Sequence, residues 1–322
     1  MAIGVGDTRD DGDMGGVGRE LVRTGSGMTD AATEHPLQEQ VALVVGGTRG
    51  IGLAVASALA AAGAAVAVTG RDRDAVDSAT DRLSAEGARA IGIAGNMADA
   101  SVADTTVSRA VDAFGRLDAL VHCAGTAEPR NSSIRTITSE DWHGLIDAHL
   151  NSAFEACRAS VPHLLESGGR IVTTSSHAYQ GIYGGTGYPA GKGAVNSLTY
   201  ALAAELAADR VRVNGICPGA RTRLSTGEDY EAHVRGLNER GLLSDDMLAA
   251  SLAPEPPELV APLYVLLASK LSDPVTGRVF SAAGGYVGLH DLPAESMLGF
   301  RDCDAEGPWP LEELAAVLPK GP

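Results

Sequence analysis

Cations are scarce in this chain. It carries 41 Asp and Glu against 25 Lys and Arg, a formal net charge of −16, and that balance disfavours non-specific binding to nucleic acid or to an anionic membrane surface. Any anionic ligand must therefore be held by a few local basic groups. Long apolar runs are also missing: the Ala-rich stretch 53–68 is interrupted by Gly63 and reads as a helix followed by a strand, short of a membrane span. The N-terminus has no basic-then-apolar secretory pattern, which places the protein in the cytoplasm. Cysteine is limited to Cys123, Cys157, Cys217 and Cys303, far apart and without CxxC or Cys/His ligand spacing. Buried free thiols and no metal are expected.

What is present suffices for one large core, with 44% of 322 residues hydrophobic. Residues 1–37, rich in Gly and Asp with little periodicity, read as a disordered N-terminal extension. Residues 38–287 read as one domain. Residues 288–322, with Trp309 and an amphipathic stretch 311–318, read as a C-terminal extension that packs on the body or on a partner subunit.

Within the domain, Val41-Ala-Leu-Val-Val45 suits a buried parallel strand, followed by Gly46-Gly47-Thr48-Arg49-Gly50-Ile51-Gly52 and an Ala/Leu helix to about residue 62. Strand, glycine loop and helix form the context of a phosphate-binding turn, in which free N–H groups at the helix start attract a pyrophosphate. The second strand, 65–69, ends in Gly70-Arg71 with no acid to take a ribose 2′-hydroxyl. Arg71 and Arg49 instead offer two guanidinium groups to a 2′-phosphate, which favours NADP(H) over NAD(H). Helix 73–86, strand 89–94, Asn96-Met97, helix 100–114 and strand 117–122 follow, then a long helix 139–165 with Ser139 as its N-cap. Strand 170–174, a helix from Tyr188, strand 211–216, helix 257–269 and strand 278–281 complete the alternation. This order implies an α/β fold, a single doubly wound parallel sheet of about seven strands with helices on both faces and ligands at the carboxyl ends. The polar stretch 224–256 reads as a segment covering the substrate.

The chemistry is expected between Ser176 and Lys192. Tyr188 stands four residues before Lys192, so a helix opening at Tyr188 puts phenol and ammonium on one face. A free phenol titrates near pH 10; bringing it close to neutrality takes about 4 kcal/mol, within reach of an ammonium plus a cationic cofactor ring in a dry cleft. Taken alone, the same spacing fits a solvated helix face.

Gly46-x-x-x-Gly50-Ile51-Gly52, Ser176…Tyr188-x-x-x-Lys192 and Pro218-Gly219, in that order, resemble the short-chain dehydrogenase/reductase family over residues 38–287. The resemblance implies that Tyr188 is the general acid/base, that Lys192 holds the nicotinamide ribose and lowers the tyrosine pKa, and that Ser176 positions the substrate carbonyl. It also implies a homodimer or homotetramer formed through the long central helix and the helix from Tyr188.

The chain departs from the family pattern at several points. Val45-Gly46 replaces Thr-Gly. Asn96-Met97 stands where Asp-Val would hold the adenine. The turn after the fourth strand is His122-Cys123-Ala124-Gly125, and His149 takes the place of the asparagine on the central helix, with Asn151 two residues on and facing elsewhere. Arg223 stands at the usual threonine, with Thr222 adjacent to serve the nicotinamide amide. His177, Tyr179 and Tyr183 are open to pocket or packing roles, and His122 fits a structural role better than a catalytic one.

Two functions follow. One is NADPH-dependent hydride transfer between nicotinamide and a ketone or secondary alcohol, on a polyketide-like, steroidal or acyl-thioester substrate. The other is non-redox work on the same fold, such as cyclisation, epimerisation or dehydration of a natural-product intermediate, motivated by His149 and the altered 122–125 turn.

Overall fold

All five residues of β1, Val41–Val45, are buried, and their alternation divides the interior in two. Ala42 and Val44 face one core, with Val55 and Leu59 of helix α1 (Gly50–Ala61) and Tyr264 of a late helix. Val41, Leu43 and Val45 face the other, with Val107, Cys157 and Leu164. Such a strand is apolar throughout because helices cover both of its faces. Each fully buried Val or Leu contributes roughly 1.5–3 kcal/mol relative to exposure.

The structure is a computed structural model describing residues 35–129 and 132–319. The predicted N-terminal extension lies outside these up to residue 34. Leu37 is already fully buried, and its N–H donates to the Ala62 carbonyl, so core packing begins ahead of residue 38.

The order of the first seven strands in the sheet is β3-β2-β1-β4-β5-β6-β7, with β2 at Ala65–Gly70, β3 at Ala90–Ala94, β4 at Ala119–His122, β5 at Arg170–Thr174, β6 at Arg212–Gly219 and β7 at Arg278–Ala283. These seven strands are parallel. The order reverses between β1 and β4, where the connections diverge and leave a crevice beyond the strand ends. Helices α2 (Arg73–Ala85) and α3 (Ala100–Phe114) complete the first half; each is capped by an aspartate, Asp72 and Asp99, that accepts from two first-turn N–H groups.

The structure corrects several expectations. An eighth strand, β8 (Tyr286–His290), returns antiparallel on β7 at the sheet edge; it is largely exposed and lacks the buried apolar run that marks the other strands. The long central helix is three pieces: α4 (Ser139–Ile146), a π-helical turn (Asp147–Asn151) and α5 (Ser152–Ser167). Its N-cap is Thr138, not Ser139, with the hydroxyl accepting from Asp141 N–H at 3.0 Å. Helix α6 is Gly187–Glu205. Within the polar stretch 224–256 lie α7 (Glu228–Glu239) and α8 (Asp245–Leu252), which close over a small core of Val234, Leu237 and Leu243 against Tyr183. Helix α9 is only Ala261–Ala268, after a 3-10 turn at Pro257–Leu259. In the last segment α10 (Cys303–Glu306) and α11 (Leu311–Val317) gather around Arg301, whose guanidinium lies over Trp309 and bonds to Glu313. Cys303 is exposed, unlike Cys157 and Cys217. Among the described residues no helix is long and apolar enough to cross a membrane.

Candidate active site

The β1–α1 loop and the turn after β4 meet at backbone distance. Gly46 has φ +78°, and a Cβ there would stand 2.7 Å from the Ala124 backbone; a Cβ on Gly52 would stand 2.1 Å from the Gly46 carbonyl. Only glycine fits both positions. Arg49, the N-cap of α1, makes no side-chain cap bond, so the first N–H groups of that helix are available to a ligand anion. They open on a cleft of about 2500 Å³ that runs past Arg71, Asn96 and Met97 to Gly125, and on to Pro218, Gly219 and Thr222. Every predicted cofactor residue lines it except Gly47, which faces Val68 of β2 instead. Asn96 closes its own turn by accepting from Ala98 N–H, and Met97 is anchored in the core. The glycine cradle and uncapped helix start fit the pyrophosphate of a dinucleotide. Arg49 and Arg71 are exposed at its edge, and among the described residues neither makes an ion pair.

Farther along, β5 and α6 bring three predicted residues together. Tyr188, in the first turn of α6, and Ser176, just past β5, line the same part of the cleft. Lys192, one turn on, is buried; its Nζ donates to the Thr174 carbonyl at 2.8 Å and stands 5.8 Å from the centroid of the Tyr188 ring. Ser175 donates to the Lys192 carbonyl at 3.1 Å and ties strand to helix. Burial holds the lysine down to about 8, with the Cys123 and Cys217 thiols opposing that shift. Burial pushes the Tyr188 phenol up, with the nearby Ser176 hydroxyl opposing that shift. Desolvation thus disfavours the phenolate at Tyr188.

His149 faces these groups from the π turn, a feature common where helices carry functional side chains. Its ring meets Tyr188 edge-on, with centroids 4.9 Å apart. Gly125 and Gly191 make room for it: a Cβ on Gly125 would stand 2.7 Å from His149 Cε1 and 3.6 Å from Lys192 Nζ, and one on Gly191 would stand 3.1 Å from His149 Cβ. Nε2 lies 3.0 Å from the Thr126 carbonyl, while Nδ1 is buried without a partner. Burial, then the nearby Lys192 charge, lowers the imidazole to about 2. Asn151 bonds to Asp147 at 2.6 Å and takes no part. His122 is equally buried. Its Nε2 lies 2.8 Å from Ser152 Oγ, whose proton is donated to the Ala148 carbonyl at 2.9 Å, so Nε2 carries the histidine proton. Burial lowers His122 to about 3, again with help from Lys192.

The profile of the short chain dehydrogenase family matches residues 40–229. The chain is 35% identical over 260 residues to the short-chain reductase protein NovJ of Streptomyces niveus, covering 80% of this chain and 97% of that one. It is 32% identical over 253 residues to a 3alpha-hydroxysteroid dehydrogenase of Mediterraneibacter gnavus, with 77% and 97% covered. A crystal structure of a short chain dehydrogenase from Mycobacterium avium superposes with a TM-score of 0.70 at 32% identity, over 87% of this chain and 93% of that one. The chain belongs to the short-chain dehydrogenases/reductases.

As an enzyme of this family it is an oxidoreductase that binds NAD(P) and acts on a small molecule. The far end of the cleft in this short-chain dehydrogenase is walled by His177 and Tyr183, and by Tyr230 and Met247 of α7 and α8. Tyr179 stands outside the cleft lining but ends a polar chain that reaches it. Its hydroxyl lies 3.0 Å from His290 Nδ1, His290 Nε2 lies 2.8 Å from Ser281 Oγ, and Ser281 Oγ lies 3.0 Å from His177 Nε2. Ser281 and His290 carried no signal in the sequence, being 104 and 113 residues beyond His177 in an unremarkable apolar strand and its return. Glu128, whose carboxylate binds three N–H groups at the start of α6, was missed for the same reason.

Proposed function

We propose that this protein is an NADPH-dependent oxidoreductase that interconverts a ketone and a secondary alcohol on a polyketide-like, steroidal or acyl-thioester substrate. The observation that carries the reading is that Tyr188 and Ser176 line the inner end of a dinucleotide-sized cleft, with the Lys192 ammonium one helical turn from the tyrosine.

The uncapped start of α1 with Gly46, Thr48, Gly50, Ile51 and Gly52 would hold the pyrophosphate, and Asn96 with Met97 the adenine. The guanidinium groups of Arg49 and Arg71 would take a 2′-phosphate, bidentate pairing being the geometry arginine supplies best. Cys123, Ala124 and Gly125 would border the cofactor along β4, with Pro218, Gly219 and Thr222 on the other side. When bound, NADPH supplies the hydride. Ser176 donates to the substrate carbonyl oxygen and orients it. Tyr188 delivers its phenolic proton to that oxygen as negative charge develops, and Lys192 stabilises the phenolate that results. His149, neutral and packed on the tyrosine ring, limits the positions that ring can take. The covering helices α7 and α8 exclude water from the substrate end.

The cofactor site is tested by titrating the purified protein with NADPH and NADH, and the activity by NADPH consumption against aromatic, steroidal and acyl-thioester ketones. Tyr188→Phe should retain NADPH binding and lose turnover by about a thousandfold; full turnover in that variant removes Tyr188 from the mechanism. Tight NADPH binding with no ketone consumed would refute the redox assignment. The exposed Phe154 and Leu165 on α5 support assembly of copies through the central helix, which sedimentation checks.

A further inference from the structure

Helix α6 begins without a cap of its own. Thr186 is its N-cap residue and makes no side-chain cap bond, although the first N–H groups of any helix need acceptors. The acceptor comes from across the cleft. Oε1 of Glu128 accepts from Thr186 N–H at 3.1 Å and Gly187 N–H at 3.3 Å, and Oε2 accepts from Tyr188 N–H. The next residue, Pro189, has no N–H, so one carboxylate satisfies every donor of the opening turn as far as Ala190, whose N–H reaches the Thr186 carbonyl.

The surroundings are shaped to that carboxylate. Gly184 and Gly185 are both left-handed, at φ +70° and +79°, and a Cβ on Gly185 would stand 3.1 Å from the Glu128 carboxyl carbon. The chain thus wraps its own anion in a concavity of backbone N–H groups at a helix start. Ser132 Oγ donates to Oε1 at 2.9 Å and fixes the carboxylate from the far side. Two residues before Glu128, Thr126 holds the His149 ring that packs edge-on against Tyr188. Residues 126 and 128 therefore grip the tyrosine from two directions, one through its ring and the other through its backbone.

We infer that Glu128 is a positioning residue, holding Tyr188 and the first turn of α6 at the distance that proton transfer requires. Misplacing a reacting group by about 1 Å can cost on the order of 100-fold in rate, and Glu128 is the side chain that restrains the Tyr188 backbone. This rests on the reading of Tyr188 as proton donor.

The test uses the full chain with Glu128→Gln, whose amide NH₂ would face an N–H group it cannot accept from, and two readouts. The first is amide hydrogen exchange of residues 186–192, expected at least tenfold faster in the variant while the thermal midpoint stays within a few degrees. The second is steady-state reduction of a 3-ketosteroid, with kcat expected to fall about 10- to 100-fold and KM for NADPH to stay within about twofold. Unchanged exchange at Gly187 and Tyr188, or an unchanged kcat, overturns the assignment; so does a loss confined to the thermal midpoint. Should Glu128→Gln fail to fold, Glu128→Asp keeps the charge and shortens the reach. It is expected to accelerate the same exchange to a lesser degree, and wild-type exchange in it overturns the assignment. If the wild type does not reduce the ketosteroid, the proposed activity fails on that probe, and exchange alone decides the role of Glu128.

Discussion

His149→Asn tests the electrostatic reading of the site without any substrate. Burial first, then the Lys192 charge, lowers the imidazole to about 2, whereas in the unfolded chain it titrates near 6.5. Between those values the unfolded state binds a proton that the native state refuses. Stability therefore rises with pH there and is lost as the pH falls below about 6.5, at about 1.4 kcal/mol per pH unit for one such group. At pH 5 the loss from His149 amounts to about 2 kcal/mol, a large fraction of the 5–15 kcal/mol typical of a domain. His149 is 1% exposed, so solvent screens little of this. Carboxylates and the other histidines titrate in both proteins and cancel in the comparison. Urea unfolding at pH 7.5, 6 and 5 should show the wild type losing about 2 kcal/mol more than His149→Asn across that range. Parallel curves for the two proteins would mean that the native imidazole accepts a proton at ordinary pH, and the description of a neutral histidine beside Lys192 would be wrong.

Three further outcomes are expected. Arg71→Asp should weaken NADPH and shift preference toward NADH by placing a carboxylate where a 2′-phosphate would sit; an unchanged preference in fluorescence titration would show that the phosphate lies elsewhere. Gly46→Ala should abolish nucleotide binding, because its Cβ would stand 2.7 Å from the Ala124 backbone at φ +78°, and retained NADPH affinity would contradict the cradle. Alcohol oxidation should accelerate with pH from neutrality upward while ketone reduction stays level near pH 7, since burial raises the Tyr188 phenol and only the oxidation needs the phenolate; parallel pH–rate profiles would refute this.

The parts of the fold written in consecutive residues were legible. Val41–Val45 followed by glycines and an Ala-rich helix can hardly be other than a covered strand and a phosphate turn, and the family likeness of residues 40–229 agrees. Ser176, Tyr188 and Lys192 lie within one short stretch, so their juxtaposition follows from a strand end feeding a helix start. His149 was placed on the right element, but the π turn that aims it depends on packing against Gly125 and Gly191, and its periodicity differs little from that of an α-helix. What stayed hidden depends on distant partners. Glu128 means nothing until residues 186–188 fold around it, 58 to 60 positions away, and the Tyr179–His290–Ser281–His177 chain exists only because β8 turns back along β7. The covering helices α7 and α8 escaped because many of their residues are polar and their apolar faces close mainly on each other and on Tyr183.

The charge states around Lys192 bear on the direction of the reaction. Three buried ionisable side chains, His122, His149 and Lys192, and the half-buried Tyr188 crowd the ends of β4 and β5, and desolvation opposes charge on each of them. Only the lysine, held to about 8 and bonded to the Thr174 carbonyl, is mostly charged at neutral pH. Burial keeps both imidazoles neutral, and the Lys192 ammonium adds to that effect by disfavouring a second cation in the same dry volume. A neutral phenol beside one fixed cation is an acid ready to donate: losing its proton to a developing alkoxide converts an isolated buried charge into an ion pair. Taking a proton from an alcohol first requires the phenolate, which burial disfavours until further positive charge enters the cleft. On the mechanism proposed above, this arrangement favours donating a proton over accepting one.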